Sequence, residues 1–314
     1  LGPEALVQTG NVTEFIFLGL SPNLQIQRIC FMVFFFLYMA AVLGNSLIVL
    51  TVNFSKSLDT PMYFFLSHLS FVEICYFSTT SPKLIADLLV ERKSISLEAC
   101  ITQVFFIHFF GGIEMFLLTI MAYDRYLAIC KPLHYVTIMN HRICDLLVGI
   151  AWLGGILHST AQILLLIPLP FCGPNVIDHY FCDVLPLLEL ACTDTFFTGL
   201  FIVANGGSLS VVSFIILLSS YSVILFHLRG HSKEGRQKAL STCASHITVV
   251  ILFFGPCVFI YLRPNTTCSL DKMVAVFYTV ITPLLNPVIY SLRNAEVKNA
   301  MRKLWVRALK QGEA

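Results

Sequence analysis

Charged residues are scarce in this chain, at 12% of 314 residues, while 57% are hydrophobic. A soluble domain carries about 25% charged residues, so an ordinary water-soluble protein is excluded. The formal net charge is only +2, and we expect no nucleic-acid partner. Lipid is therefore the predicted solvent for most of the chain.

Sequence signatures of enzymes and transporters are also lacking. The chain contains no HExxH and no GxSxG motif, and no catalytic constellation is shared between its apolar stretches, so we expect no enzyme. Glu73 and Glu114 lie within apolar stretches and favour a cation or proton transporter as the alternative. A transporter of that kind would show repeated halves with matched broken helices, and the chain shows no such repeat.

Seven apolar stretches are present, and each is long enough, at about 20 residues, to cross a bilayer as a helix. They occupy roughly residues 25–52, 59–82, 98–123, 143–167, 196–228, 239–262 and 272–292. The predicted fold is an all-α membrane protein, a seven-transmembrane helix bundle. Its N-terminal segment is residues 1–24, the bundle is 25–293, and the cytoplasmic tail is 294–314.

The distribution of Lys and Arg predicts the orientation in the membrane. With the N-terminus outside, 14 of the 20 basic residues lie on the cytoplasmic side and the other 6 lie outside. The long outer connection, residues 168–195, has no Lys or Arg. The expected location is the plasma membrane, with an extracellular N-terminus that is glycosylated at Asn11 in the sequon Asn11-Val12-Thr13.

An acid and a base stand side by side at the cytoplasmic end of the third span. Asp124 can neutralise Arg125 by a charge-assisted hydrogen bond, but desolvation removes most of the Coulomb gain of such a pair. One interpretation is a latch that is paired in one conformation and released in another. The alternative is an ordinary charge at a helix end, and the dipeptide alone does not choose between them.

Five of the eleven cysteines face the outside, and one of them, Cys268 in the last outer loop, is left unassigned. Cys172, Cys182 and Cys192 lie in the outer connection 168–195, and Cys100 begins the third span. Disulfides persist in that oxidising compartment, and four cysteines allow three pairings. Cysteines within the spans are expected to be small buried hydrophobic residues.

Five motifs indicate a family. They are LGNSLIVL, PMYFFLSHLS, MAYDRYLAICKPLHY, KALSTCASH and PLLNPVIYSLRN, in that order along the chain. Together they resemble the signatures of rhodopsin-like (class A) G-protein-coupled receptors, and within that class the olfactory (odorant) receptors of the tetrapod branch. The resemblance extends from about Asn11 to Leu309.

The resemblance implies a function and a set of partners. The ligand would be a small, mostly hydrophobic volatile odorant that binds in the outer half of the bundle. The partner inside the cell would be the stimulatory, or olfactory, heterotrimeric G protein, which raises cyclic AMP. Membrane lipid is a further partner, and a requirement for a trafficking escort protein stays open.

The resemblance also assigns the residues of the cytoplasmic switch, meaning those that would change between the resting and active states at the cytoplasmic end. Arg125 would contact the G protein once the sixth span moves outward, after release from Asp124. Tyr221 and Tyr290 would turn inward to hold that state. Asn286 and Pro287 would weaken the hydrogen-bond ladder of the seventh span. His246, in KALSTCASH, is assigned to the same switch.

The expected ligand wall is apolar with a few polar groups, which suits a small neutral molecule. Its residues are Val104, Ile107, His108, Gly111, Gly112, Ile202, Asn205, Leu209, Phe254, Cys257, Val258, Tyr261, Val276 and Thr279. Ile107 stands where amine receptors carry an aspartate, which argues against an amine anchored in that way. Gly111 and Gly112 would open room beneath His108. His108 itself is either a hydrogen-bonding group for the ligand or a histidine of a helix interface.

The two acids near mid-membrane have two interpretations. An intramembrane carboxyl group needs a partner or a neutralising proton. Glu73 and Glu114 resemble a sodium site that stabilises the inactive state, although the family's usual residue at Glu73 is an aspartate. The alternative is a pair of protonated acids bonded to neighbours. Apart from this possible sodium ion, we expect no cofactor.

The resemblance implies the two disulfides. Cys100–Cys182 would tie the third span to the outer connection, and Cys172–Cys192 would close a loop within it. The two disulfides would then hold the outer connection in place as a lid over the pocket.

The tail is predicted to form an amphipathic helix that lies on the membrane. Its apolar positions recur at intervals of three and four: Val297, Met301, Leu304, Trp305 and Leu309.

Overall fold

The computed structural model describes residues 12–172, 174–229, 233–262, 269–293 and 295–312. The predicted fold class is confirmed, since long helices account for most of these residues. In chain order the elements are β1 Glu14–Phe17, α1 Leu24–Phe54, α2 Pro61–Asp87, β2 Ser94–Ser96, α3 Leu97–Cys130, α4 Pro132–Ile138, α5 His141–Leu166, β3 Val176–Ile177, α6 Val184–Glu189, α7 Phe196–Leu228, α8 Lys233–Leu262, α9 Ser269–Val276, α10 Thr282–Arg293 and α11 Ala295–Gly312.

Length and hydropathy make the long helices membrane spans. Within the described part of the chain, five helical segments are long and apolar enough to cross a bilayer, and α8 contributes the shorter apolar stretch His246–Phe259. The remaining span, α2, has 27 residues and is therefore about 40 Å long. Helices α2 and α3 continue past their apolar windows to Asp87 and Cys130, because a backbone ladder does not stop where side chains become polar.

Polar caps set the starts of several helices. The Asn23 side chain accepts hydrogen bonds from the backbone of Gln25 and Ile26 at the start of α1. Ser96 and Asn140 cap α3 and α5 in the same way. Each cap satisfies an amide that the helix itself leaves unpaired.

Helix α3 lies at the centre of the bundle, where it packs against α2, α5, α7 and α8. Its contact with α5 depends on Gly155. A Cβ atom there would lie 2.6 Å from Cγ1 of Ile113 and 2.8 Å from the backbone oxygen of Phe109. The two backbones can therefore approach closely only because this residue lacks a side chain.

The outer end of the bundle carries a small three-stranded sheet. Strand β1 lies in the middle, antiparallel to β2 and parallel to β3. Phe15, Phe17 and Ile177 are buried beneath it, against the start of α3. Disulfides join Cys100 to Cys182 and Cys172 to Cys192, which are the two pairings that the resemblance implied.

The seventh span is interrupted by a distorted turn. Between α9 and α10 the backbone forms a π-helical turn over Phe277–Ile281, and the Thr282 side chain donates to the Phe277 carbonyl at 3.1 Å. Pro283, which has no N–H to continue an α-helical ladder, follows directly. Pro287 lies further along, inside α10, and its ring lies against Gly44; the weakening of the ladder at Asn286-Pro287 stays a prediction.

The predicted tail helix is present as α11, but its first turns face the protein rather than lipid. Val297 is fully buried and packs with Ile48 and Leu58. The Tyr63 hydroxyl donates to the Glu296 carboxylate at 2.8 Å. The prediction that Val297 meets the membrane is therefore wrong, because α2 and the end of α1 cover it.

Candidate functional site

A cavity of about 80 Å³ opens in the outer half of the bundle. The outer connection forms its roof through Asp183, Val184 and Leu185. Side chains from six of the seven spans form its wall: Tyr76, Ile107, His108, Gly111, Gly112, Met115, His158, Ile202, Gly206, Phe253, Cys257 and Tyr278. Most of these groups are apolar, as is usual for a pocket that binds a small molecule.

Part of the predicted ligand set lies on this wall. The structure places six of the predicted residues there: Ile107, His108, Gly111, Gly112, Ile202 and Cys257. Sequence reasoning missed His158, although a histidine in the otherwise apolar fourth span was a usable signal. It also missed Tyr76 and Tyr278, for which the sequence carried no comparable signal, whereas the outer connection was expected to cover the pocket.

Other predicted ligand residues lie away from the cavity wall. Val104 is buried in the outer core beneath the sheet. Leu209 and Phe254 pack in the central core, where Phe254 lies 6.2 Å from Phe214 between ring centroids. Their helices turn these side chains toward neighbouring helices rather than toward the cavity.

None of the remaining predicted residues is found on the described part of the cavity wall. Two of them, on the seventh span, lie near the outer connection. The Thr279 hydroxyl donates to the Ala275 carbonyl at 2.7 Å and lies 2.9 Å from the Tyr180 hydroxyl. Val276 packs in the core near Tyr180. Val258 is half-buried but is not part of the wall. The Tyr261 side chain lies outside the described residues.

A pair of histidines lies on the wall, which also includes the polar residues Tyr76 and Tyr278. The rings of His108 and His158 meet edge to face with centroids 5.5 Å apart. His158 Nδ1 lies 3.1 Å from the Oδ1 atom of Asn205. Asn205 was predicted to line the cavity. It lies outside the cavity wall and instead positions His158, which does line the cavity.

Gly112 has a different role from the predicted one. A Cβ atom there would lie 3.3 Å from the Cα atom of Gly155 and 3.4 Å from Cδ2 of His158. The missing side chain lets α5 and its histidine approach α3, so it does not simply add space beneath His108. Gly111, whose Cβ would lie 3.5 Å from the Tyr76 ring, leaves the ordinary amount of room.

The lid is held over the cavity by several bonds besides its disulfides. The Cys182 amide donates to the Gln103 side chain of α3 at 2.9 Å. Lys272 forms an ion pair with Asp178. His179 stacks on Tyr180, and burial lowers its pKa to about 3, with a further lowering from Lys272 and an opposing effect of Asp178.

Below the cavity lie the two mid-membrane acids, both fully buried. One Glu73 oxygen accepts a hydrogen bond from the Asn286 amide. The other Glu73 oxygen, both oxygens of Glu114 and the Asn286 carbonyl oxygen have no hydrogen-bond partner in the described part of the chain. Hard cations prefer oxygen ligands, so this donor set fits a sodium ion; among the described residues no group of three His, Cys, Asp or Glu forms a larger metal site.

At the cytoplasmic end, the side chains of Asp124 and Arg125 are bonded to each other. Asp124 is fully buried and accepts from Arg125, with Nε at 3.0 Å and Nη2 as a second donor. The Tyr135 hydroxyl of α4 donates to the other carboxylate oxygen at 2.7 Å. Burial and the Asp124 charge raise the pKa of Tyr135, so the phenol stays protonated and donates.

The other switch residues lie around this pair. The Tyr221 hydroxyl is hydrogen-bonded to Nδ1 of His246, which joins α7 to α8. The Tyr290 side chain and the sequon residue Asn11 lie outside the described residues. On α4, Leu133 is 92% exposed and Val136 is 79% exposed, so an apolar surface stands beside the charged pair.

A lidded cavity at one end of seven spans, and a buried Asp-Arg pair at the other, define a class A G-protein-coupled receptor. The family model described as olfactory receptor matches residues 34–308. Two human proteins are similar over most of their lengths: olfactory receptor 4X2 is 69% identical over 302 residues, which is 96% of this chain and all of that protein. Olfactory receptor 4B1 is 65% identical over 300 residues, covering 96% and 97% of the two chains.

A mouse protein, olfactory receptor 4B13, is 61% identical over 300 residues, covering 96% of this chain and 98% of its own. The chain belongs to the olfactory receptor family. It is therefore a multi-pass membrane receptor with an odorant and a G protein as its partners, and it is not an enzyme.

Proposed function

We propose that this receptor binds a small, mostly hydrophobic, neutral volatile molecule in the outer cavity and activates the stimulatory (olfactory) G protein, which raises cyclic AMP. The observation that carries the proposal is the separation of two sites along one helix. On α3, His108 and Gly112 line the cavity, while Arg125 stands more than three turns further along at the opposite end.

The chemistry of the cavity supports the ligand class. Asp183 is the one acid among its lining residues, and its carboxylate accepts from the Val184 amide at 2.7 Å as the cap of α6. Ile107 provides no countercharge for an amine. A charged ligand would lose most of its hydration in this mostly apolar cavity, whereas a neutral apolar one gains by burial. The volume of about 80 Å³ favours a small molecule.

The proposed orientation places the cavity outside the cell and the charged pair inside. Basic residues concentrate at the end that carries Arg125, as positive charge does on the cytoplasmic side. The two disulfides lie at the opposite end, where an oxidising compartment would preserve them. The plasma membrane and an extracellular N-terminus glycosylated at Asn11 follow from this orientation.

The cytoplasmic partners are proposed from the same surface. Leu133 and Val136 offer an apolar patch to the G protein, and Arg125 would reach its α-subunit after release from Asp124. Arg302 and Lys303, which lie together on α11, would attract anionic lipid headgroups. An escort protein for delivery to the plasma membrane belongs to the proposal on the strength of the family alone.

A sodium ion between Glu73 and Glu114 is also proposed. The support is the set of buried oxygens without hydrogen-bond partners, together with the Asn286 carbonyl oxygen. Bound sodium would hold α2, α3 and α10 together and so favour the resting state. A shared proton is the alternative occupant of this pair.

The experiment is a cyclic AMP reporter screen against a broad panel of volatile molecules, in cells that express the parent or Arg125→Ala at equal surface levels. We expect one or more volatiles to raise cyclic AMP through the parent, and Arg125→Ala to abolish the response. A parent that reaches the surface and responds to no volatile, or a variant that responds fully, would contradict the proposal. Vesicle flux measurements would reveal a transporter instead.

A further inference from the structure

Two imidazole rings contribute polar groups to the ligand cavity. His108 comes from α3 and His158 from α5, and both side chains line the cavity wall. Within the described part of the chain, neither ring nitrogen of His108 makes a hydrogen bond. A neutral imidazole has one N–H donor and one lone-pair acceptor. His108 therefore offers both functions to a ligand.

The second ring has its tautomer set by Asn205. His158 Nδ1 lies 3.1 Å from Asn205 Oδ1, and an amide oxygen can only accept a hydrogen bond. The proton of the neutral ring is therefore on Nδ1, and Nε2 carries the lone pair. Among the described residues no donor reaches Nε2, so this acceptor, on a ring that lines the cavity, has no protein partner.

Position as well as tautomer is fixed for this ring. The Cδ2 edge of His158 lies against Gly112, and the ring contacts His108 edge to face. Helix α5 is held against α3 by the close approach at Gly155. The lone pair on Nε2 thus has a defined place, which is what directional recognition of a small molecule requires.

From these observations we infer that the ligand class is small neutral alcohols, whose hydroxyl group donates to Nε2 of His158 and accepts from the N–H of His108. The inference rests on the proposed odorant-binding function. The hydrocarbon part of the alcohol would pack against Ile107, Ile202 and Phe253. A ketone, ester or ether can accept from His108 but would leave His158 Nε2 buried without a donor.

The first test compares ligands that share a carbon skeleton in the cyclic AMP assay. The probes are cyclohexanol, cyclohexanone and methoxycyclohexane, followed by the corresponding linear C5 and C6 alcohols, ketones and methyl ethers. We expect the alcohol of each set to be roughly five- to tenfold more potent than its ketone or ether, which is the effect of about one hydrogen bond. Equal potencies, or ketones stronger than alcohols, would overturn the inference.

The second test changes the residue that fixes the tautomer. Asn205→Leu removes the acceptor for Nδ1–H, so Nε2 can take the proton and the preference for alcohols should disappear. Asn205→Asp keeps an acceptor, as a carboxylate holds a histidine tautomer in serine proteases, and should retain the preference. His158→Phe keeps ring volume without the lone pair, and should lower alcohols to the potency of ketones even if Asn205→Leu does not reach the surface.

Gln162 provides the matched control for loss of contact between α5 and α7. It lies one turn from His158, and its side-chain amide donates to the Ile202 carbonyl at 3.3 Å without being part of the cavity wall. Gln162→Leu should change the potency of the alcohol, the ketone and the ether by the same factor. If it also abolishes the alcohol preference, or if Asn205→Leu retains it, the assigned tautomer does not set selectivity.

The outcomes separate this inference from the proposed function. A receptor that responds to volatile ketones or esters but not to alcohols refutes the ligand class and leaves the odorant receptor standing. A receptor that responds to no volatile at a normal surface level refutes both.

Discussion

Loss of the Tyr135 hydroxyl group should activate the receptor without a ligand. Asp124 receives three donors in the resting structure, two from Arg125 and one from Tyr135 at 2.7 Å. A hydrogen bond to a charged group contributes about 1.5–3 kcal/mol. A bond that is kept in both states does not shift the equilibrium between the resting and active states. Only the part of the bond energy that is present in the resting state and absent from the active state does so. If that part is about 1.4 kcal/mol, Tyr135→Phe should raise a rare active population about tenfold.

The assay is basal cyclic AMP per receptor at the cell surface, with no odorant present. Asp124→Asn should raise the basal level further than Tyr135→Phe, because it also removes the charge that holds Arg125. Arg125→Ala should abolish signalling and leave odorant binding largely intact. Tyr126→Phe is the matched control, since the described residues offer its hydroxyl no hydrogen-bond partner.

Two results would refute this reasoning. If Tyr135→Phe and Asp124→Asn are both silent at parental surface levels, the charged pair is an ordinary feature of a helix end rather than a latch. If Tyr126→Phe raises basal signalling as much as Tyr135→Phe, loss of any phenol in this region loosens the bundle, and the specific bond has no part in the resting state.

Three further predictions concern the lid and the buried acids. Cys182→Ser should abolish surface display or the ligand response, because loss of a native disulfide costs about 2–5 kcal/mol; a variant that traffics and signals like the parent would contradict this. Glu114→Gln should change basal signalling and erase any sodium dependence of agonist potency, whereas normal sodium dependence would favour a protonated acid. Folding lowers the pKa of His179 from 6.5 to about 3. As the pH falls, the histidine therefore binds a proton in the unfolded state before it does so in the folded state. Stability present above about pH 6.5 should thus be lost progressively toward pH 3, and thermal unfolding of purified His179→Phe should depend less on pH over that interval.

Hydropathy alone predicted the spans because the requirement for about 20 apolar residues is local in sequence. It also favoured ends that are slightly short, as at Asp87 and Cys130, since a window ends at the first polar residues. The π-helical turn of the seventh span was not predicted. It adjoins Pro283, whereas the predicted weakening of the ladder at Pro287 concerns the active state and stays a prediction.

The amino-acid sequence by itself determined the number of spans and the family, and it predicts their orientation and the side of each cysteine, because these depend on composition and on short motifs. Only the tertiary structure decided which side chains meet. Adjacent residues of a helix point about 100° apart, so a small rotation replaces one wall residue by another. That rotation is set by packing, such as the approach of Gly155 to Ile113. The pairing of His158 with Asn205, 47 positions away, follows from it and from no local pattern.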